Sequence, residues 1–188
     1  AIVNGSAPTE PGHTFRSLHN LIYRLAETLR SQGFSTGHCL AVVSPNHTDY
    51  FTPILAAGLL GGHSTSVNPG YTEKEMAYQL GLTSTSVVFA HSSCLEKVLA
   101  AVALAKLNCK VYTLDSNATG VKGSICSLNE LITVTKFGSV DKDSFNSNFD
   151  SNDIFMIPFS SGTTGNPKGV MVSHRNFTSN ILQAMAVD

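Results

Sequence analysis

Ser160, Ser161, Gly162, Thr163, Thr164, Gly165, Asn166, Pro167, Lys168 and Gly169 run consecutively between two apolar stretches, residues 154–159 and 170–172. These positions hold four hydroxyls, three glycines and one lysine. Glycine tolerates positive φ and lets the backbone come close to a ligand, so successive N–H groups can converge on an anion. The hydroxyls add donors, and the Lys168 ammonium adds a compact positive charge. A segment of this composition suits phosphate. A ligand-free Ser/Gly/Thr turn would not account for the fixed order of these residues between two apolar strands.

Two familiar nucleotide loops are disfavoured. A Walker A loop needs G-x-x-x-x-G-K-[ST]; counting from Gly162, the second glycine position holds Pro167, and Gly169 replaces the hydroxyl that would ligate Mg2+. Residues 170–172 predict a strand after the loop, with the next helix starting near a Ser173 cap. The loop then joins two strands and does not open a helix whose dipole could hold phosphate. No G-x-G-x-x-G occurs, so a Rossmann dinucleotide site has no support.

The elements that must position this loop alternate between helical and strand periodicity. That alternation predicts a doubly wound α/β fold, a mostly parallel sheet with helices on both faces. Thr14 fits the N-cap of a helix whose Phe15, Leu18, Ile22, Leu25 and Leu29 make one apolar stripe and which ends near Gly33. Cys39–Val43, apolar throughout, predicts the first core strand. Residues 50–60 predict a helix closed by Gly61 and Gly62, and residues 65–67 a short strand cut off by Asn68, Pro69 and Gly70. Further on, 73–82 and 95–107 are helical in pattern, while 86–90 and 110–114 are strand-like. Residues 133–153 turn polar and predict an exposed connection inside the domain.

On the helix after the loop, Phe177, Ile181 and Met185 predict a core stripe. His174, Tyr71 and Tyr78 are read as packing residues, and Glu73 and Glu75 as favourable charges at a helix start.

Composition sets the outer limits. At 188 residues and 42% hydrophobic, the chain can build one ordinary core. Twelve basic against 13 acidic residues exclude a basic nucleic-acid module. Apolar runs such as 54–60 fall far short of the ~20 residues a membrane span needs. Cys39, Cys94, Cys109 and Cys126 lack the short paired spacing of a zinc site and are too few for a disulfide scaffold, which predicts reduced thiols in an intracellular protein. The N-x-S/T matches at Asn4, Asn46, Asn117 and Asn176 are expected by chance in a chain this rich in Ser, Thr and Asn. None of the histidines falls in a metal motif, and no metal ligand is assigned.

Residues 160–169, followed by Val170, Ser173 and His174, resemble the phosphate-binding motif of the adenylate-forming superfamily: acyl-CoA synthetases, luciferases and the adenylation domains of peptide synthetases. The helix from Phe15, the 37–43 strand, the Asn68-Pro69 turn with Tyr71, Thr72 and residues 73–77, and the Glu96-Lys97 segment resemble the opening of the large N-terminal domain of coumarate–CoA ligases. His38 and His63 depart from that pattern, which usually has an acidic and an apolar residue there.

The resemblance implies a ligase that converts a carboxylic acid and ATP to an acyl-adenylate and pyrophosphate, then passes the acyl group to the thiol of CoA. It implies that Ser160, Ser161, Gly162, Thr163, Thr164, Gly165 and Lys168 hold the β- and γ-phosphates, with Mg2+ bridging them. It gives no catalytic residue within the chain. Residues 1–188 would be the N-terminal portion of an AMP-binding domain, whose adenine, ribose and acyl elements and C-terminal domain lie beyond, so that the piece alone is inactive. A cytoplasmic or peroxisomal location is implied. The competing expectations are a carrier-protein adenylation domain, a luciferase-like enzyme, and a non-catalytic nucleotide-binding or scaffold piece.

Overall fold

Thr14 caps helix α1 (Phe15–Ser31) by accepting the Ser17 N–H at 3.1 Å, and the helix closes at Gly33, whose φ of 91° is the left-handed value a C-terminal cap requires. Residues 2–3, 5, 12–115, 125–134, 143–145, 149–160 and 166–186 are described by this computed structural model. Strand β1 (Cys39–Val43) is buried at every position, as an apolar strand inside a parallel sheet must be. Then follow α2 (Phe51–Leu59), β2 (His63–Val67), α3 (Glu73–Leu82), β3 (Thr85–Ala90), α4 (Leu95–Leu104) and β4 (Lys110–Thr113). The last part of the chain supplies α5 (Leu128–Val134), β5 (Ile154–Met156), β6 (Phe159–Ser160), β7 (Lys168–Gly169), β8 (Val172–Ser173) and α6 (His174–Met185).

The main sheet runs β4-β3-β1-β2-β5-β8. Every pairing in it is parallel except β5 with β8. The chain steps from β1 to β2 on one side and then to β3 and β4 on the other, the reversal that defines a doubly wound sheet. Side chains of β1 and β3 alternate between two cores. Leu40, Val42, Val87 and Phe89 pack with Leu25 and Leu29 of α1, Ile54 of α2 and Leu131 of α5. Ala41, Val43, Val88 and Ala90 pack with Met76 and Leu80 of α3 and Leu95 and Val98 of α4. Helices therefore cover both faces. All four cysteines are free thiols.

Several elements differ from their expected bounds. Helix α4 stops at Leu104, because Lys106 takes φ 54° and Leu107 donates its N–H back to Val102. A lysine here fills the left-handed position that glycine usually takes. The 133–153 connection is shorter than expected, since α5 takes its first two residues. Ser127 and Glu130 cap α5 reciprocally: the Glu130 carboxylate accepts the Ser127 N–H at 2.8 Å, and Ser127 Oγ accepts the Glu130 N–H at 3.2 Å. Phe145 is not a free loop residue either, lying edge-on to Tyr23 at 5.4 Å with the Arg30 guanidinium 4.6 Å above its ring. Residues 135–142 and 146–148 of this connection lie outside the described residues.

The predicted stripe on α6 is only partly a core. Phe177 packs on Phe155 at 4.7 Å, but Ile181 and Met185 are 42% and 71% exposed, because among the described residues no layer covers the outer face of α6. The helix is anchored at its start, where Ser173 and Asn176 form a capping box. With no buried residue on α6, that cap carries much of its local stability. Ser173→Ala is expected to cost about 1 kcal/mol of helix stability, read as faster amide hydrogen exchange through 177–180 while β1 amides are unchanged. Equal protection in the variant would contradict this.

Candidate functional site

Five parallel strands align their carboxyl ends along one edge of the sheet, the edge at which ligands of doubly wound folds bind. The chain leaves that edge after Met156. Ile157 donates its N–H to the Ser64 carbonyl at 2.7 Å, and its own carbonyl accepts the Thr65 hydroxyl at 2.8 Å. The Thr65 oxygen in turn accepts from Gln79 Nε2 at 2.8 Å, and Gln79 Nε2 also donates to the Ser66 carbonyl at 3.0 Å. Next the Pro158 carbonyl accepts the Val170 N–H at 2.8 Å, which closes the base of a two-stranded antiparallel ribbon. In that ribbon β6 faces β7, with Phe159 opposite Gly169 and Ser160 opposite Lys168.

The described ends of the chemistry-bearing segment thus lie on the two arms of a ribbon, and its last residues, Lys168 and Gly169, lead into no helix. The strand expected at 170–172 is displaced to both sides: β7 occupies 168–169, Val170 turns back to Pro158, and β8 leaves the ribbon to pair with β5. Gly169 is needed at its place because a Cβ there would lie 2.8 Å from Ile157 Cγ2 and 3.2 Å from the Phe159 ring.

Of the predicted phosphate contacts, Ser160 and Lys168 are cross-strand partners and both are exposed. Lys168 pairs with no acidic group among the described residues, so its charge is available to an anion. Ser161, Gly162, Thr163, Thr164 and Gly165 lie outside the described residues. Beside the ribbon is a slot of about 240 Å3, walled by Tyr71, Tyr78 and Gln79 on one side and Phe159, Asn166 and Pro167 on the other. Tyr71 and Tyr78, expected to be ordinary packing aromatics, therefore border the loop.

Glu75 lies at the entrance to α3, where the Thr72 N–H and hydroxyl donate to its carboxylate; those bonds hold its pKa below the usual range. The Thr72-x-x-Glu75 spacing is a capping-box signature. Thr65 and Gln79 are functional candidates that the sequence reading passed over. Their one signal is positional: Gln79 stands between Met76 and Leu80 on a helix face that is otherwise apolar.

His174 has the packing role expected of it, its ring 5.1 Å from Phe149 and 4.9 Å from Phe155. Burial pushes its pKa down, with Asp153 partly opposing, and burial lowers His63 at the start of β2 as well. Each imidazole is easier to protonate in the unfolded chain, where its pKa is about 6.5, than in the fold. Their contribution to stability is therefore complete above that pH and is lost as pH falls through it. The urea midpoint should drop between pH 7.5 and 5.5, and should drop less in a His63→Asn, His174→Asn variant. An equal or larger drop in the variant would refute the assignment.

A second cavity, about 630 Å3, opens at the carboxyl end of β1 among Ile2, Val3, Asn46, His47, Tyr50 and Phe51. It is larger, but its described lining offers an anion no lysine or arginine. Nearby, His13 Nε2 lies 2.7 Å from Asp49, and the His47 and His91 rings are 5.9 Å apart. Their Nδ1 atoms already accept the Asp49 and Ser93 N–H groups. Burial would raise the Asp115 carboxyl, but the Ser92 hydroxyl and N–H, with His91 alongside, hold it below the usual range. Among the described residues no cluster of His, Cys, Asp and Glu could hold a metal ion. Donor chemistry and not volume decides between the two cavities, and it favours the ribbon.

Comparison with known proteins gives a consistent picture. The family model for the AMP-binding enzyme matches residues 2–188. A luciferin 4-monooxygenase from Photuris pensylvanica is 30% identical over 93% of this chain and 32% of its own length. The 4-coumarate–CoA ligase 2 of Petroselinum crispum is 26% identical over 100% of this chain and 32% of its own. The crystal structure of ATP-bound MatB from Rhodopseudomonas palustris superposes with a TM-score of 0.71 at 26% identity, over 89% of this chain and 31% of that one. The chain thus spans about a third of the length of the curated relatives it matches.

Proposed function

Because the chain belongs to the AMP-binding enzyme family, we propose that it is the N-terminal portion of an adenylating domain and that the ribbon turn grips the β- and γ-phosphates of ATP. The enzyme built on it activates a small carboxylic acid: the carboxylate oxygen attacks the α-phosphorus, the bond to the bridging oxygen breaks, and pyrophosphate leaves. The thiol of CoA then attacks the acyl carbon of the adenylate and AMP departs. For the first step the protein must hold the phosphate tail in line and offset charge on the leaving group. Ser160, Ser161, Thr163 and Thr164 supply hydroxyl donors, Gly162 and Gly165 let backbone N–H groups approach, and Lys168 supplies the charge. Mg2+ arriving with the triphosphate would offset part of its charge; no residue of this chain is assigned to hold it.

The observation that carries this reading is the Ser160–Lys168 pairing at the carboxyl edge of the sheet, which places a hydroxyl, and an ammonium that pairs with no acidic group among the described residues, on the two arms of one glycine-rich segment. MatB, of similar fold, is crystallised with ATP, and the Petroselinum relatives are CoA ligases by name. No described helix is long and apolar enough to cross a membrane. The resemblance to coumarate–CoA ligases, and not that fact, is the ground for proposing a cytoplasmic or peroxisomal enzyme.

A luciferase-like oxidation of the adenylate is the second reading, favoured by the 30% identity to the Photuris enzyme. A panel of carboxylic acids assayed on the protein extended to its relatives' length separates the two. ATP–pyrophosphate exchange with CoA-dependent AMP release supports the ligase. Exchange with oxygen uptake and no CoA dependence supports the second reading, and no exchange with any acid contradicts both.

A further inference from the structure

A buried polar path runs from α3 to the root of the ribbon. Gln79 and Thr65 are 2% and 0% exposed, in a face otherwise filled by Met76, Leu80, Val43 and Val67. Polar groups in such a place are costly unless paired, and here each bond has a forced direction. The one hydroxyl proton of Thr65 goes to the Ile157 carbonyl, so its oxygen must accept from the Gln79 amide. The second proton of that amide goes to the Ser66 carbonyl. Ile157 precedes a proline, which confines it to extended conformations. Fixing its carbonyl therefore also aims the Pro158 carbonyl, the acceptor for Val170 at the ribbon base. The path reaches the ribbon three residues before Ser160.

We propose that Thr65 and Gln79 are positioning residues for the phosphate-gripping turn: through the Ile157 carbonyl they fix where the ribbon leaves the sheet, and so where Ser160 and Lys168 present their donors. The consequence for ligand rests on the function proposed above, whereas the consequence for the ribbon does not. Both residues act at a distance, and neither touches the phosphate.

The test uses the 188-residue chain with Thr65→Val, which keeps the shape and removes the hydroxyl, Gln79→Met, which keeps the length and removes the amide, and Thr65→Ser, which keeps the donor. Amide hydrogen exchange is read at Ile157 and Val170, with Ala41 and Val42 of β1 as internal controls, and inorganic pyrophosphate is titrated into each protein. Each of Thr65→Val and Gln79→Met removes two of these hydrogen bonds, and exchange at Ile157 and Val170 should speed by roughly tenfold to thirtyfold in both, with β1 unchanged and Thr65→Ser close to the parent. The dissociation constant for pyrophosphate should rise by a similar factor in the same two variants. Unchanged exchange at Ile157 and Val170, or acceleration shared with β1, overturns the proposal. If the ribbon amides loosen selectively but pyrophosphate binds not even the parent chain, the positioning role stands and the phosphate reading falls. Should Thr65→Val fail to fold, Gln79→Met decides by the same criteria.

Discussion

Lys168→Ala is expected to slow adenylation by about 10²–10³ in an enzyme built on this chain, the scale of one preorganised donor to a developing oxyanion, while the fold is unaffected. The first half of that expectation follows from charge. Pyrophosphate gains negative charge as it leaves, and Lys168 is the ammonium on the arm of the turn, exposed and unpaired among the described residues. The second half follows from exposure, since removing a solvent-facing side chain from β7 buries nothing and opens no cavity. The check is ATP–pyrophosphate exchange alongside far-UV circular dichroism. Exchange at the parent rate would remove Lys168 from the chemistry. Lost exchange with a lost fold would show instead that the lysine is structural.

The largest effect on stability should come from Phe89→Ala. Phe89 is fully buried in β3, opposite Val42 of β1 and Tyr112 of β4, and it stacks on the Tyr112 ring at 5.3 Å. Truncating a core phenylalanine costs about 3–5 kcal/mol through lost transfer energy and the cavity left behind, against a total of roughly 5–15 kcal/mol for a domain. The chain has no tryptophan, so urea unfolding is best followed by far-UV circular dichroism. With a urea slope of about 2 kcal/mol/M, the midpoint should fall by about 1.5–2.5 M. A fall under about 0.5 M would mean that Phe89 is not at the centre of the sheet.

Much of this architecture was legible because local and tertiary signals agree. Cys39–Val43 is apolar at every position since both faces of β1 are covered, and the Thr14 cap and Gly33 bracket α1 as local rules require. The order of residues 160–169 predicts a connection between strands, and β6 and β7 stand at its two ends. What escaped reading was set by partners distant in sequence. The stripe of Phe177, Ile181 and Met185 has core periodicity, but burial depends on a covering layer that periodicity does not report. Helix α5 is signalled by the Ser127–Glu130 capping pattern and by Leu128, Leu131 and Ile132 at helical spacing, a stretch short enough to pass unread before the polar connection that follows. Gln79 looks like a surface amide until Thr65 and Ile157, 14 and 78 positions away by number, are brought against it. Within the site, Ser160 and Lys168 lie opposite each other on β6 and β7, while the five residues between Ser160 and Asn166 lie outside the described part of the chain.

The most direct measurement is an amide chemical-shift titration of the 188-residue chain with pyrophosphate at millimolar concentration. The account predicts that the perturbed amides cluster at Ser160, Asn166, Lys168 and Gly169 and that Lys168→Ala abolishes the effect. Perturbation centred on Asn46, His47 and Phe51 at the end of β1, with the ribbon silent, would contradict it.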